Sequence, residues 1–214
     1  MRKYISYLYP ITRKVKSKYN DTLEITWHNG KKHLNTKNAN YSYGSLQVIL
    51  KFGLDKIDLK HINSILLLGL GGGSVIETLR QDFNYKKQIT AIDIDPVIID
   101  IAKTEYLLES NSNTTIICED ALQFIKENTT KYELIIIDLF IDIKVPKQFL
   151  ELSFWEDVIK SKSTNGVILF NASLEEKKSH QLQSVINFLK TKVYKVDVYE
   201  NVNNTNTILI SQSL

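Results

Sequence analysis

The chain has 214 residues, 43% of them apolar, with four scattered histidines and one cysteine, Cys118. That length and apolar content suit one cored domain with a small appendage, while the cysteine and histidine counts exclude a disulfide framework and a cysteine zinc site, so no metal is expected. The net charge of +3 is unevenly spread, with nine Lys/Arg against two Asp/Glu in residues 1–37 and 18 against 22 beyond them. A basic arm of this kind is more often a solvated face than a nucleic-acid surface, so nucleic acid is disfavoured as a partner. No apolar run reaches the about 18 residues of a membrane span, and the opening Met-Arg-Lys-Tyr-Ile-Ser-Tyr has no secretory apolar segment. No membrane contact is expected, and the expected compartment is the cytoplasm.

In chain order, Arg13-Lys-Val-Lys-Ser-Lys18 alternates weakly, as an edge strand does. Leu23-Glu-Ile-Thr-Trp27 alternates clearly, and Asn29-Gly30 is a strong hairpin turn before Lys31-Lys-His-Leu-Asn35. Residues 1–37 therefore read as a small N-terminal β cap. Asn40 is placed to cap a helix from Tyr41 to Phe52 with Gly53 as its stop. From there strand and helix alternate through residues 38–214. Strands are expected near 64–69, 88–93, 114–118, 132–138 and 166–171, and helices near 73–82, 96–108, 121–128, 147–161 and 174–191, the last opened by a Ser173–Glu176 capping box. Apolar runs such as Leu134-Ile-Ile-Ile137 belong to strands buried on both faces. Two closing strands, Tyr194 to Tyr199 and Thr207 to Ser211, are joined by a short loop and must pair antiparallel.

The chemistry concentrates where the first of these buried strands ends. Ile65-Leu-Leu-Leu68 runs into Gly69, Gly71, Gly72 and Gly73 and then a helix, and a second apolar run ends in Asp93. Glycine lets the backbone approach a ligand, the helix start offers unpaired N–H groups, and Asp93 can accept from a ribose diol. Asp93 follows Gly69 by 24 residues, near the spacing of about 20 expected of a ribose-binding acid. Asp95, followed by Pro96, reads as a helix N-cap. The pattern predicts a nucleotide or nucleoside site.

Four stretches carry a family resemblance: Ile65-Leu-Leu-Leu-Gly-Leu-Gly-Gly-Gly-Ser74, Ile89-Thr-Ala-Ile-Asp-Ile-Asp-Pro96, Glu119-Asp-Ala121 and Tyr132-Glu-Leu-Ile-Ile-Ile-Asp138. They resemble the spermidine-synthase-like branch of the class I S-adenosylmethionine-dependent methyltransferase superfamily. The resemblance implies an α/β fold with a seven-stranded Rossmann-like sheet, five parallel βα units and a C-terminal antiparallel hairpin, behind a small N-terminal β-hairpin cap. It implies that residues 38–214 bind S-adenosylmethionine or its decarboxylated form. Gly69, Gly71 and Gly73, with Gly72 in the same turn, would lie under the methionine part. Asp93 would hold the ribose, Asp120 and Ala121 the adenine edge, and Ile94 with Leu122 the adenine faces. Asp120 also stands at a helix N-cap position, and the two roles can coexist. Asp138, Tyr43 and Asp142 would be the catalytic set, with Asp138 as base. A homodimer is a further expectation by resemblance.

Three departures weigh on the reaction. Gly72, Ile141 and the pair Ala39-Asn40 stand where the polyamine enzymes carry acids, and a bound polycation needs carboxylates. The expected activity is therefore methyl transfer from S-adenosylmethionine to a small molecule. The alternatives are aminopropyl transfer from decarboxylated S-adenosylmethionine to putrescine, with Asp142 as helper, and a non-catalytic cofactor-binding protein. A nicotinamide dehydrogenase is disfavoured, because Ser74 ends the Gly-x-Gly-x-x-Gly pattern and the chain has no Tyr-x-x-x-Lys.

Overall fold

A computed structural model describes residues 2–36, 40–42, 45–108, 113–141, 144–173, 180–192 and 194–213. The chain opens with a short helix, α1 (Arg2–Ile5), and strands β1 (Ile11–Lys16), β2 (Thr22–His28), β3 (Lys31–Asn35) and β4 (Asn40–Ser42), which form one antiparallel sheet in that order. Asn29 and Gly30 turn between β2 and β3 at φ of 49° and 74°, the left-handed pair that a two-residue hairpin requires. The apolar face of this sheet, Leu23, Ile25 and Leu34, is buried against Ile98 and Ile101 of α4 (Pro96–Tyr106). Glu105 of the same helix receives both Arg13 and Lys32 at 2.7 Å, while Lys14 pairs with Glu24 and Lys16 with Asp21. Four cations of the basic arm, Arg13, Lys14, Lys16 and Lys32, are thus paired with carboxylates of the fold.

The rest of the chain is α2 (Ser45–Leu54), β5 (Ser64–Leu68), α3 (Ser74–Gln81), β6 (Gln88–Asp93), α4, β7 (Thr114–Cys118), α5 (Ala121–Glu127), β8 (Tyr132–Ile137), α6 (Leu152–Ser161), β9 (Lys162–Ser173), α7 (His180–Thr191), β10 (Tyr194–Val202) and β11 (Asn206–Ser213). The strands form a sheet ordered β10-β11-β9-β8-β5-β6-β7, parallel from β9 to β7 and antiparallel at β10 and β11. Alternate residues face opposite layers. Ile65, Leu67, Leu134 and Ile136 pack with α2, α3 and α4, and Leu66, Leu68, Ile135 and Ile137 pack with α5, α6 and α7. This is why the central strands are continuous apolar runs. Among the described residues no helix is long and apolar enough to cross a membrane.

Several elements differ from the sequence expectation. Residues 40–42 are a strand on β3, so α2 starts at Ser45 and Asn40 is not its cap. Gly53 does not stop that helix. It lies inside it, where a β-carbon would come 2.6 Å from Leu169 Cδ1, so glycine lets α2 lie close on β9. The segment expected as one helix over 147–161 is a 3-10 turn (Lys147–Leu150) and then α6, separated by Glu151 in extended conformation. The closing hairpin is tighter than expected, because Asn201, Asn203 and Asn204 adopt φ of 59°, 51° and 60° and let the strands run on to Val202 and back from Asn206. Glu176 of the capping box lies outside the described residues.

Trp155 is fully buried, meets Phe154 and Phe170 edge to face, and donates its indole N–H to the Phe149 carbonyl at 3.0 Å. Trp155→Ala is expected to cost about 3–5 kcal/mol, from lost burial and the cavity left behind. Urea denaturation should show a lower midpoint with an unchanged slope, and Trp155→Phe should lose less.

Candidate active site

At the carboxyl end of β5 the chain turns sharply under neighbouring backbone. Gly69 and Leu70 both donate to the Ile92 carbonyl, at 2.9 and 3.1 Å. Gly69, Gly71 and Gly73 have φ of 93°, 53° and 88°. A β-carbon on Gly69 would lie 2.1 Å from the Asp138 carbonyl oxygen, and one on Gly73 2.3 Å from Leu108 Cδ1. Side chains at either place would displace a neighbour as well as strain the turn. Gly72 lies in the same turn, and Gly73 immediately precedes α3.

Asp93 ends β6 beside this turn and is only 8% exposed. One carboxylate oxygen accepts from Gly71 N at 3.1 Å and the other from Asp95 N at 3.0 Å. The residue expected to hold a ribose therefore already fixes the glycine turn. Burial pushes its pKa up to about 6, against the pull of the backbone donors. Asp95 is fully buried and N-caps α4 through Val97 N at 3.0 Å. Its other oxygen accepts from Ser17 Oγ and from Asn20 Nδ2, the latter at 2.8 Å. The β1–β2 turn is thereby seated two residues from Asp93.

Ile94 and Leu122 are each 37% exposed, while Ala121 is buried at the start of α5. Asp120 N-caps that helix, accepting from Leu122 N at 2.7 Å. Glu119 N donates to the Asp93 carbonyl at 3.0 Å, which draws the ends of β6 and β7 together.

Asp138 follows β8 directly, and its N–H donates to the Leu68 carbonyl at 2.9 Å. Its Oδ1 accepts from Asn171 Nδ2 at 2.9 Å, and Asn171 Oδ1 accepts from Asn206 Nδ2 at 2.9 Å. Burial pushes the Asp138 pKa up to about 6, while the Asn171 bond favours the charged form and opposes it. Asn171 and Asn206 were not expected as site residues, although Asn171 is the one polar residue in Val167-Ile-Leu-Phe-Asn-Ala172. Tyr43 and Asp142 lie outside the described residues, and Ile141 and Lys144 bond to each other through both backbone pairs, at 2.9 and 3.2 Å. Phe149, Phe154 and Trp155 are core residues, with Phe140 packed against them. Among the described residues no group of three or more His, Cys, Asp or Glu side chains is placed to hold a metal ion.

The strand order, the glycine turn and the acids at the ends of β6 and β8 define the class I S-adenosylmethionine-dependent methyltransferase fold. Solved structures share it. Human methyltransferase-like protein 13 in complex with SAH superposes with a TM-score of 0.64 over 80% of this chain and 83% of that one, at 24% identity. A probable spermidine synthase from Corynebacterium glutamicum gives 0.66 over 95% and 77%, at 15% identity. A spermidine synthase in complex with the transition state analogue AdoDATO gives 0.62 over 95% and 70%, at 11% identity. Within this class, the chain belongs to the spermine/spermidine synthase domain family, whose model matches residues 48–207. Curated relatives include the polyamine aminopropyltransferases of Sulfurisphaera tokodaii, 36% identical over 121 residues (52% of this chain, 39% of that protein), and of Sulfolobus acidocaldarius, 37% identical over 126 residues (55% and 41%). The match spans about two fifths of those relatives' length. These findings overturn the expectation of methyl transfer, which rested on acids missing from individual positions.

Because Asp93 and Asp138 hold their protons to higher pH when folded than when unfolded, folding takes up protons between about pH 4 and pH 6. That contribution to stability is full below about pH 4 and is lost as the pH rises through about 6. Asp138→Asn keeps an oxygen for Asn171 and removes the desolvated charge. It is expected to raise Tm at pH 7 by a few degrees, about 2–4 °C per kcal/mol for a chain of this size. Calorimetric melts should show the gap to wild type closing toward pH 4.5.

Proposed function

We propose that this protein is an aminopropyltransferase that takes decarboxylated S-adenosylmethionine as donor and a small polyamine such as putrescine as acceptor. The observation that carries this is Asp138, an acid that follows β8 directly and whose backbone packs against the glycine turn at the carboxyl end of the central strands, where open α/β sheets bind their ligands. Membership of the spermine/spermidine synthase family and the names of the curated relatives support the choice of reaction.

In this scheme Gly69, Gly71, Gly72 and Gly73 underlie the sulfonium end of the donor, Asp93 accepts from its ribose hydroxyls, and Ile94 and Leu122 cover the adenine beside Asp120 and Ala121. Tyr43 and Asp142 complete the acceptor end. The acceptor nitrogen attacks the methylene carbon of the aminopropyl group, the N–C bond forms as the C–S bond breaks, and methylthioadenosine departs with the electron pair. Asp138 takes the proton that the new ammonium sheds. The protein's share is holding nitrogen and carbon in line and supplying a carboxylate that is ionised above about pH 6.

Calorimetric titration should show tighter binding of decarboxylated than of intact S-adenosylmethionine, and incubation with putrescine should release methylthioadenosine. Asp138→Asn should cut turnover by about 10²–10⁴ and leave donor affinity within about twofold. Wild-type activity should decline as the pH falls through about 6, where Asp138 protonates. Tighter binding of the intact cofactor with no methylthioadenosine formed would rule the assignment out.

A further inference from the structure

We propose that Asn171, itself oriented by Asn206, is a positioning residue that fixes which carboxylate oxygen Asp138 turns toward the acceptor amine. This rests on Asp138 being the base of the proposed reaction, and it adds two residues that the sequence motifs do not contain.

The placement follows from strand register. β8 and β9 are parallel with Ile137 opposite Phe170, so Asp138 and Asn171 are the next residues along, on the face that carries Ile136 and Leu169. β11 runs antiparallel with Ile208 opposite Asn171, which sets Asn206 two residues on, on that same face. Three polar side chains from three neighbouring strands thus form a row across the carboxyl end of the sheet, above a layer that is otherwise apolar.

The direction of the row is dictated by chemistry. Asn171 is fully buried, and a buried amide must have its donors and acceptor satisfied. An ionised carboxylate can only accept, so the Asn171 NH₂ must face Asp138. That turns the Asn171 oxygen away from the crevice, where the Asn206 NH₂ donates to it. A flipped Asn171 would set oxygen against oxygen at Asp138 and NH₂ against NH₂ at Asn206. The two bonds therefore hold one another in a single orientation. Oδ1 of Asp138 is occupied, while Oδ2 has no protein donor among the described residues. Oδ2 is the oxygen left to receive the amine proton. The same bond favours the ionised carboxylate, against the burial that disfavours it.

The test is the pH dependence of kcat and kcat/KM for wild type, Asn171→Ala, Asn206→Ala and Asp138→Asn, with donor affinity measured alongside. Asn171→Ala should lower kcat at pH 7 about tenfold or more, the scale of a lost hydrogen bond to a charged group. It should also move the acid limb of the profile upward by about one pH unit and leave donor affinity within twofold. Asn206→Ala should act in the same direction with a smaller effect, and Asn171→Gln, which keeps the amide donor, should recover part of the loss. If Asn171→Ala does not fold, Asn206→Ala carries the same comparison, because Asn206 is half-buried at the hairpin end. Asn171→Ala, or in its place Asn206→Ala, with an unmoved acid limb and unchanged kcat would overturn the positioning role, and an inactive Asp138→Asn beside it would leave the base assignment standing. Full turnover in Asp138→Asn would overturn both.

Discussion

The carboxyl ends of β5 and β8 meet without room for a side chain. A β-carbon at residue 69 would sit 2.1 Å from the Asp138 carbonyl oxygen, so the glycine turn and the proposed base are parts of one packed contact. The N–H of Asp138 closes the same contact from the other side by donating to Leu68. The backbone of Asp138 is held there, and the bond from Asn171 restrains its carboxylate. A site of this kind acts through placement, since a carboxylate and a nucleophile held in register remove much of the entropic barrier to displacement.

The acids at the end of β6 divide between two tasks. Asp93 anchors the glycine turn through Gly71, and Asp95 anchors the N-terminal sheet through Ser17 and Asn20. The two are joined by a backbone bond from Asp95 N to Asp93. The position of the N-terminal sheet is therefore coupled to the geometry of the proposed nucleoside site through Asp95 and Asp93. The ion pairs of Glu105 with Arg13 and Lys32, partly exposed, reinforce this docking modestly beside the buried Leu23, Ile25 and Leu34.

Much of the sheet was legible because its central strands are buried on both faces and so read as unbroken apolar runs, from Ile65 to Leu68 and from Leu134 to Ile137. Asp93 and Asp138 stood out as acids ending such runs. The start of α2 was not legible. Asn40, Tyr41 and Ser42 are a strand only because β3 offers its edge, a tertiary cause with no local signature. Gly53 likewise serves a contact with Leu169, far away in sequence, rather than a helix end. Asn171 was visible as an isolated amide, but its partner is chosen by topology, since β11 lies against β9 and brings Asn206 across from 35 residues away. The type of reaction was misjudged for a related reason: acids absent from particular positions outweighed a family pattern spread over residues 48–207.

The position of β11 between β9 and β10 also orders events in time. The strand that sits beside β9 is made after the helix α7 and the strand β10, and it must insert between two segments that precede it. Until it does, β9 has an open edge and Asn171 lacks the second of the two bonds that hold its amide. The central parallel strands can pair while the chain is still being synthesised, but the carboxyl-end row of polar groups closes only with this last insertion. Chains interrupted before residue 206 would then orient Asn171 through Asp138 alone, so the polar row is complete only once β11 has docked.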